Sequence, residues 1–453
     1  MEDRRWRMKN LSMCPPFSIL YPLLSIFTPG AGQRGTTQHT VLAMPRVLLL
    51  LPTTTYRTKA FIDAASKLGV EIAAASERPS TLQTTNPQGL LTLDLLSPER
   101  AARQAREFAK KFPIDAVVPV DEDTAVVAAS VAEALGLQQN PVEAAITAKN
   151  KLRMREVLSA NGVRVPRFWS FSLDDDPREI AAQVTYPCVV KPVFLSTSRG
   201  VMRADNQDEF VSVVTRLDKI VTEPNIVRRG GALSRQALVE EFIPGFEVAL
   251  EGLATNDEFR MLALFDKPDP LDGPFFEETI YVTPSRLNQE VQRQIVGTTA
   301  DAIRAMGLRN CPIHAELRLN ESGAWIIEVA ARAIGGLCSR TLRFGEGVSL
   351  EELIIRHSLG ENVDNLERER LAAGVMMIPI PRAGTLREVR GVDEAKEVDD
   401  IEDVIITAHI TQTVLPPPEG ASYLGFIFSR AETPDRVEAA LREAHGKIEF
   451  IIN

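Results

Sequence analysis

Four short stretches of the 453-residue chain combine residue types that could do chemistry. The first is AKNKLRMREVLSANGVRVP at 148–166, where Lys149 and Lys151 open a helical pattern that ends at Asn161 and Gly162. Cations at a helix start oppose the macrodipole, and an anionic ligand would offset that cost. The second is YPCVVKPVFLSTSRGV at 186–201. Lys191 emerges from an apolar strand, and Ser196, Thr197, Ser198 and Gly200 form a small-residue loop behind it. Such a loop offers N–H groups and hydroxyls to phosphate oxygens, with the lysine as a point charge. The third is ALVEEFIPGFEVALEGL at 237–253, two β runs joined at Pro244 and Gly245. Glu240 and Glu241 face opposite sides of their strand, so one at most meets a given ligand. Glu247 could accept ribose hydroxyls, and the backbone of 241–243, through Phe242 and Ile243, could meet a purine edge. The fourth is CPIHAELRLNESGAWIIEVAARAIGG at 311–336. A hairpin here can bring Glu316 and Glu328 to one face, a pair suited to Mg²⁺ beside nucleotide phosphates. Arg332 follows, and Gly335 and Gly336 permit close backbone approach.

Each stretch also has a plain structural account. These are a solvated lysine pair, an edge lysine before a turn, an ordinary hairpin, and an internal glutamate–arginine pair. His314 reads as a satisfied strand histidine. Asp121 and Glu122 follow the DAVVPV run at 115–120, where open α/β sheets bind ligands, though a cap or solvated loop also fits.

The elements that must carry these residues fall into three blocks. RVLLLLP at 46–52 is a continuous apolar run, as in a buried parallel strand. Helical patterns at 59–68, from Ser97 and Pro98, and at 123–135 alternate with strands at 70–75 and 115–120. This predicts a small doubly wound α/β domain over 44–145. Block 146–365 is richer in β runs, at 186–192, 236–243, 246–254, 259–265, 276–283, 312–319 and 324–330. Helical stretches lie at 149–160, 207–217, 287–306 and 349–358. Block 366–453 carries GVMMIPI, DVIITAHI and YLGFIFS runs, a helix at 434–445 and a final IEFII, a compact α+β module.

Composition narrows the partners. A net charge of −10 gives no global reason to expect nucleic acid or an anionic membrane. Cys14, Cys188, Cys311 and Cys338 are too scattered for a disulfide framework or zinc site and read as thiols of a reducing compartment. Residues 1–43 hold five Lys/Arg against two Asp/Glu, unlike the acidic remainder. The segment is expected to be a spurious or disordered extension, with translation starting at Met44. A targeting peptide is the alternative, since a basic start precedes the apolar run at 18–27. GAGQRG at 30–35 satisfies a dinucleotide fingerprint without the strand and helix that would give it meaning.

Taken in order, the four stretches resemble the ATP-grasp superfamily, and the resemblance runs from about Met44 to the end. It implies an N-terminal α/β (pre-ATP-grasp) domain, two subdomains clamping ATP between small sheets, and a C-terminal α+β module. It places Lys151 and Lys191 on the phosphates and 196–200 as the loop closing over them. Glu240 to Ile243 would meet adenine, Glu247 the ribose, and Glu316 and Glu328 would hold Mg²⁺, with Mn²⁺ as a substitute. Arg332 would stabilise an acyl phosphate or tetrahedral species. Ala330 stands where many members have Asn, and the EVAAR form resembles the L-amino acid (dipeptide) ligases. There Glu278 would face a substrate amine, and Tyr281 would sit where some members carry His. The activity implied is ADP-forming amide ligation through an acyl phosphate, in the cytoplasm, on small carboxylate and amine substrates. A homodimer is compatible. A biotin carboxylase-like enzyme, a glycinamide ribonucleotide synthetase-like ligase and a non-catalytic nucleotide-binding regulator are the alternatives.

Overall fold

The computed structural model describes residues 44–453, Thr54 excepted. Residues 1–43, with the GAGQRG motif, Cys14 and the expected extension or targeting peptide, lie outside the described residues. Strand Arg46–Leu50 is the centre of a parallel sheet, between Glu71–Ser76 and Ala116–Pro119, with Leu90–Thr92 at one edge. Its side chains alternate between two cores, as strand geometry requires. Val47 and Leu49 share a core with Phe61 of helix Thr58–Leu68 and Leu353 of helix Leu350–Ser358. Leu48 and Leu50 share another with Ala101 and Val127, from helices Pro98–Ala109 and Ala125–Leu135. This double coverage explains the unbroken apolar run.

A second sheet holds eight strands, antiparallel at every pairing. In spatial order they are Gly323–Ala330, Asn310–Asn320, Phe246–Thr255, Glu258–Asp266, Ile280–Thr283, Ala372–Ile378, Gly425–Ala431 and Ile401–Ile406. The strands of the last block thus continue the sheet that carries Glu316, and position 366 does not interrupt it. Val248, Leu250, Ile313 and Leu317 bury one face against helices Lys151–Ala160 and Gln289–Met306. A smaller antiparallel sheet runs Phe168–Ser172, Gln236–Glu241, Cys188–Pro192, Met202–Ala204. Helix Gln207–Val221 closes its back through Phe210, Val214 and Leu217.

Two local expectations are corrected. Lys149 does not begin a helix. It ends helix Val142–Lys149, where a cation suits the dipole, and it pairs with Asp123 at 2.6 Å. The next helix starts at Lys151, because Asn150 caps it by accepting from the Arg153 N–H. The 276–283 strand begins only at Ile280, so Glu278 lies in the extended approach to it. Pro268, Pro270 and Pro274 remove backbone donors from the chain just before. Among the described residues, no helix is long and apolar enough to cross a membrane. Cys188, Cys311 and Cys338 are buried free thiols.

Gly374 lies where the large sheet meets helix Pro434–Lys447. A Cβ there would stand 2.6 Å from Val437 Cγ1 and 2.8 Å from the Tyr281 carbonyl. Gly374→Ala is therefore expected to destabilise the fold by about 1–3 kcal/mol through overpacking. Urea denaturation measures this, and an unchanged midpoint would show that the helix can stand off without cost.

Candidate active site

The small and large sheets face each other across a cavity lined by residues of both. Val189, Val201, Phe242, Ile243, Leu271 and Ile327 supply apolar wall, and charged side chains line its floor. Lys191 and Glu240 sit on adjoining strands of the small sheet, in the register that pairs Val189 with Glu240. Lys191 Nζ donates to Glu240 Oε2 at 2.6 Å. Arg155 reaches the other oxygen, with Nε 2.7 Å from Glu240 Oε1. Its Nη2 donates to the Ile327 carbonyl at 2.5 Å. Arg155 lies one turn beyond Lys151, so both project from one face of their helix. Lys151 Nζ lies 3.0 Å from Glu328 Oε2.

These groups are almost wholly out of water: Glu240 is 2% exposed, Arg155 1% and Lys191 6%. Burial pushes Glu240 up, yet Arg155 and Lys191 outweigh it and hold the carboxyl below its ordinary value. Burial lowers Lys191; Glu240 pulls it back up, but Arg155 and Lys151 oppose that pull and the lysine stays below its ordinary value. Lys151 is also penalised by burial, but Glu328 and Glu122 more than compensate, and it stays above its ordinary value. Three cations thus crowd two carboxylates, leaving an excess of positive charge that an anion would complement. Glu240 was expected at adenine. Its carboxylate is instead taken up by Arg155 and Lys191, so only the backbone from Glu241 onward is left to meet a base. Glu241 itself points to solvent, as alternation requires.

In the large sheet, Glu316 and Glu328 are direct cross-strand partners at a bulge in the hairpin. Side chains so placed stand about 5 Å apart, which repels two carboxylates and suits one divalent cation between them. Glu247, Glu278 and Glu316 form a second acidic group, with one oxygen of each within 4.8 Å of the others. Lys267 lies in their midst. Its Nζ is 2.7 Å from Glu247 Oε1 and 3.3 Å from Glu316 Oε1, and it also pairs with Glu278. Glu247, expected at ribose, has Lys267 on one oxygen and Arg318 3.7 Å from the other. Burial and the charge of Glu316 raise Glu278 to about 7, against the pull of Lys267. Burial also opposes ionisation of Glu316, but Lys267 and His314 hold it well below the usual carboxylate range. Tyr281 is buried beneath this group, with Lys267 Nζ 5.0 Å from its ring centroid.

His314 is satisfied, as its strand position suggested. Nδ1 meets Glu251, and Nε2 lies 3.3 Å from Glu316 Oε1. Burial favours the neutral ring, but the two glutamates prevail and raise it to about 9. Glu251 also accepts from the Ile334 N–H at 3.0 Å, tying the 331–336 loop to the sheet. Arg332, in that loop, donates to Glu122 Oε2 at 3.2 Å and to the Ala333 carbonyl at 3.0 Å. The carboxyl end of the parallel sheet therefore reaches the site through Glu122. Gly335 faces open space, and Gly336 has φ +60° with its Cβ position 3.2 Å from Phe426. In the 196–200 loop, Ser196 and Ser198 line the cavity while Thr197 points outward. Thr197, Ser198 and Gly200 all have positive φ, a run of turned backbone that favours N–H groups on one side.

Sequence reasoning missed Arg155, Lys267, Arg318 and Glu251. Arg155 stood at helical spacing from Lys151. Lys267, directly after an apolar strand, had the same signal as Lys191.

Two opposed charge sets thus meet at one cavity, and comparisons with known proteins say which proteins share this architecture. Family models for an ATP-grasp N-terminal domain, an ATP-grasp domain and an L-amino acid ligase C-terminal domain 2 match residues 62–138, 184–341 and 376–453. The chain carries ATP-grasp domains and has the ATP-grasp fold. It is 26% identical over 272 residues to an alanine–anticapsin ligase of Bacillus subtilis, covering 57% of this chain and 56% of that one. The chain thus spans about half the length of that relative. The crystal structure of an L-amino acid ligase from Bacillus licheniformis superposes with TM-score 0.73 at 26% identity, over 90% of this chain and 99% of that one. The fold is shared with phosphoribosylglycinamide synthetase from Anaerococcus prevotii, at TM-score 0.64, 17% identity and coverage of 90% and 100%.

Lys267→Met would leave one buried and two half-buried carboxylates without their shared cation. The expected loss is about 3–5 kcal/mol of folding stability. Denaturant titration at neutral pH measures it, and a loss below about 1 kcal/mol would show that the group neutralises itself by taking up protons.

Proposed function

We propose that the protein is an ATP-dependent carboxylate–amine ligase that joins small molecules, amino acids among them, through an acyl phosphate. The observation that carries this reading is the meeting of two charge sets at one cavity. Lys151 and Lys191 approach from one side, with Arg155 buried behind them, and the opposed pair Glu316 and Glu328 from the other. An apolar slot that ends in cations and a carboxylate pair fits a purine, its phosphates and a divalent ion.

The adenine packs between Val189, Val201 and Ile327 and meets the backbone of 241–243. Lys151 and Lys191 lie along the phosphates, and the N–H groups and hydroxyls of 196–200 cover them from above. Glu316 and Glu328 hold Mg²⁺, which when bound spreads the charge of the transferring phosphoryl group. A substrate carboxylate, held by Arg332, attacks the γ-phosphorus, and the bond to the β-phosphate oxygen breaks to release ADP. A neutral amine then attacks the acyl carbon, loses a proton, and expels inorganic phosphate as the amide forms. Glu278, raised to about 7, is suited to hold the ammonium of one substrate or to accept the departing proton. Arg332 offers its guanidinium to the charge that develops on the acyl oxygen and phosphate. Loop 196–200 excludes water that would hydrolyse the acyl phosphate. The scheme needs no serine or cysteine nucleophile, and Cys188, Cys311 and Cys338 are buried free thiols. It places the protein in the cytoplasm, where ATP is present.

A phosphate-release screen of amino-acid pairs with ATP and Mg²⁺, read by mass for the condensed product, tests this. Glu328→Gln should lower turnover on any active pair at least about a hundredfold. Full activity in that variant would remove the hairpin carboxylates from the chemistry. ATP binding without ADP formation across the panel would favour a nucleotide-binding regulator.

A further inference from the structure

The segment between Lys267 and Glu278 touches both sheets. Its two ends bring opposite charges to the acidic group of the large sheet. Its middle, the 271–275 turn, is held from two directions. From the large sheet, Arg318 donates to the Leu271 carbonyl at 2.5 Å and to Asp272 Oδ1 at 2.9 Å. From the small sheet, Arg203 donates its backbone N–H to the Pro274 carbonyl at 2.9 Å and its Nη1 to the Asp272 carbonyl at 2.7 Å. Met202 and Phe275 add an antiparallel bridge. Gly273 has φ +92°, and a Cβ there would lie 2.9 Å from Arg203 Cβ, so contact this close requires glycine.

The joint between the sheets passes through the same place. Phe242, just beyond the last strand of the small sheet, has Arg203 over its ring at 4.2 Å and Arg318 at 5.0 Å. Arg318 is two residues from Glu316 on one strand, so both point to the same face. Small sheet, joint, turn and metal-side strand therefore meet at one set of contacts.

We propose that the 271–275 turn couples nucleotide binding to the substrate end of the site, with Arg203 and Asp272 as positioning residues for Glu278. This rests on the function proposed above, in which nucleotide fills the gap between the sheets. Nucleotide fixes the small sheet over the large one. The edge strand Met202–Ala204 then fixes the turn, and the turn fixes Lys267 and Glu278, some four residues away on either side. Substrate carboxylate and amine would meet an ordered Glu278 only after nucleotide has bound.

Hydrogen–deuterium exchange of the full chain with and without Mg·AMP-PNP tests the coupling. In the native protein, nucleotide should slow exchange both in 196–204 and at the amides of 276–280, the latter about five- to tenfold. Arg203→Met and Asp272→Ala should each retain nucleotide binding and the response of 196–204 while losing that of 276–280. Both side chains are partly exposed, so two independent variants guard against one that folds poorly. An undiminished response of 276–280 in both variants overturns the proposal. So does a native protein that binds Mg·AMP-PNP with no change at 276–280, which leaves the ligase reading intact. A native protein that does not bind Mg·AMP-PNP overturns the nucleotide reading and the coupling together.

Discussion

Glu240 keeps its charge at a depth where burial alone would neutralise it, and the rest of the site is arranged around that fact. A carboxylate taken from water without partners costs several kcal/mol. Arg155 and Lys191 remove this cost from opposite sides. Arg155 belongs to the helix that carries Lys151 and also binds the Ile327 carbonyl, next to Glu328. One carboxylate thus aligns a strand of the small sheet, a helix and the hairpin that carries Glu316 and Glu328. Because the cations exceed the carboxylates, the alignment leaves positive charge directed into the cavity. Fully matched pairs would have been as well buried, but they would have left nothing to attract phosphate.

The acidic end repeats the logic with the sign reversed. Four carboxylates, Glu247, Glu278, Glu316 and Glu328, converge with Lys267 and Lys151 shared among them. Charge is balanced across the pair of clusters more nearly than within either one. This is why Glu278 and Glu316, close neighbours with the same side chain, are pushed in opposite directions. Glu316 has Lys267 and His314 beside it. Glu278 has Lys267 but also faces the charge of Glu316. Two carboxyls with separated proton affinities can divide the work of holding a cation and handling a proton.

Much of this was legible in the sequence, for reasons that can be stated residue by residue. Lys191 and Glu316 interrupt apolar strand runs, and a charge in such a run needs a partner or a ligand. The alternating two-core pattern of 46–50 follows from an apolar stretch too continuous for a half-exposed strand. What could not be read was pairing across long separations. Glu240 reads as one of two adjacent glutamates, and nothing local says that a helix residue 85 positions earlier will claim it. Glu122 and Arg332, 210 residues apart, meet only because the parallel sheet abuts the large one. Lys149 was misread because two short helices meet at Asn150. A cap residue inside a continuous helical pattern looks like any other polar position until the backbone turns there.

The acidity of the whole chain bears on this site as well. A net charge of −10 repels polyanions at a distance, while the cavity offers local cations to a nucleotide already within reach. Screening at cellular salt confines the repulsion to about 8 Å, so it sets which encounters persist more than how tightly a ligand is held. A nucleotide with its divalent cation carries part of its charge already neutralised, and it is small enough to reach the buried lysines. Under the proposed function, the contrast between net charge and cavity would favour a small ligand whose charge a metal has partly neutralised. That preference is built both from the positions of Lys151, Arg155 and Lys191 and from their excess over the carboxylates beside them.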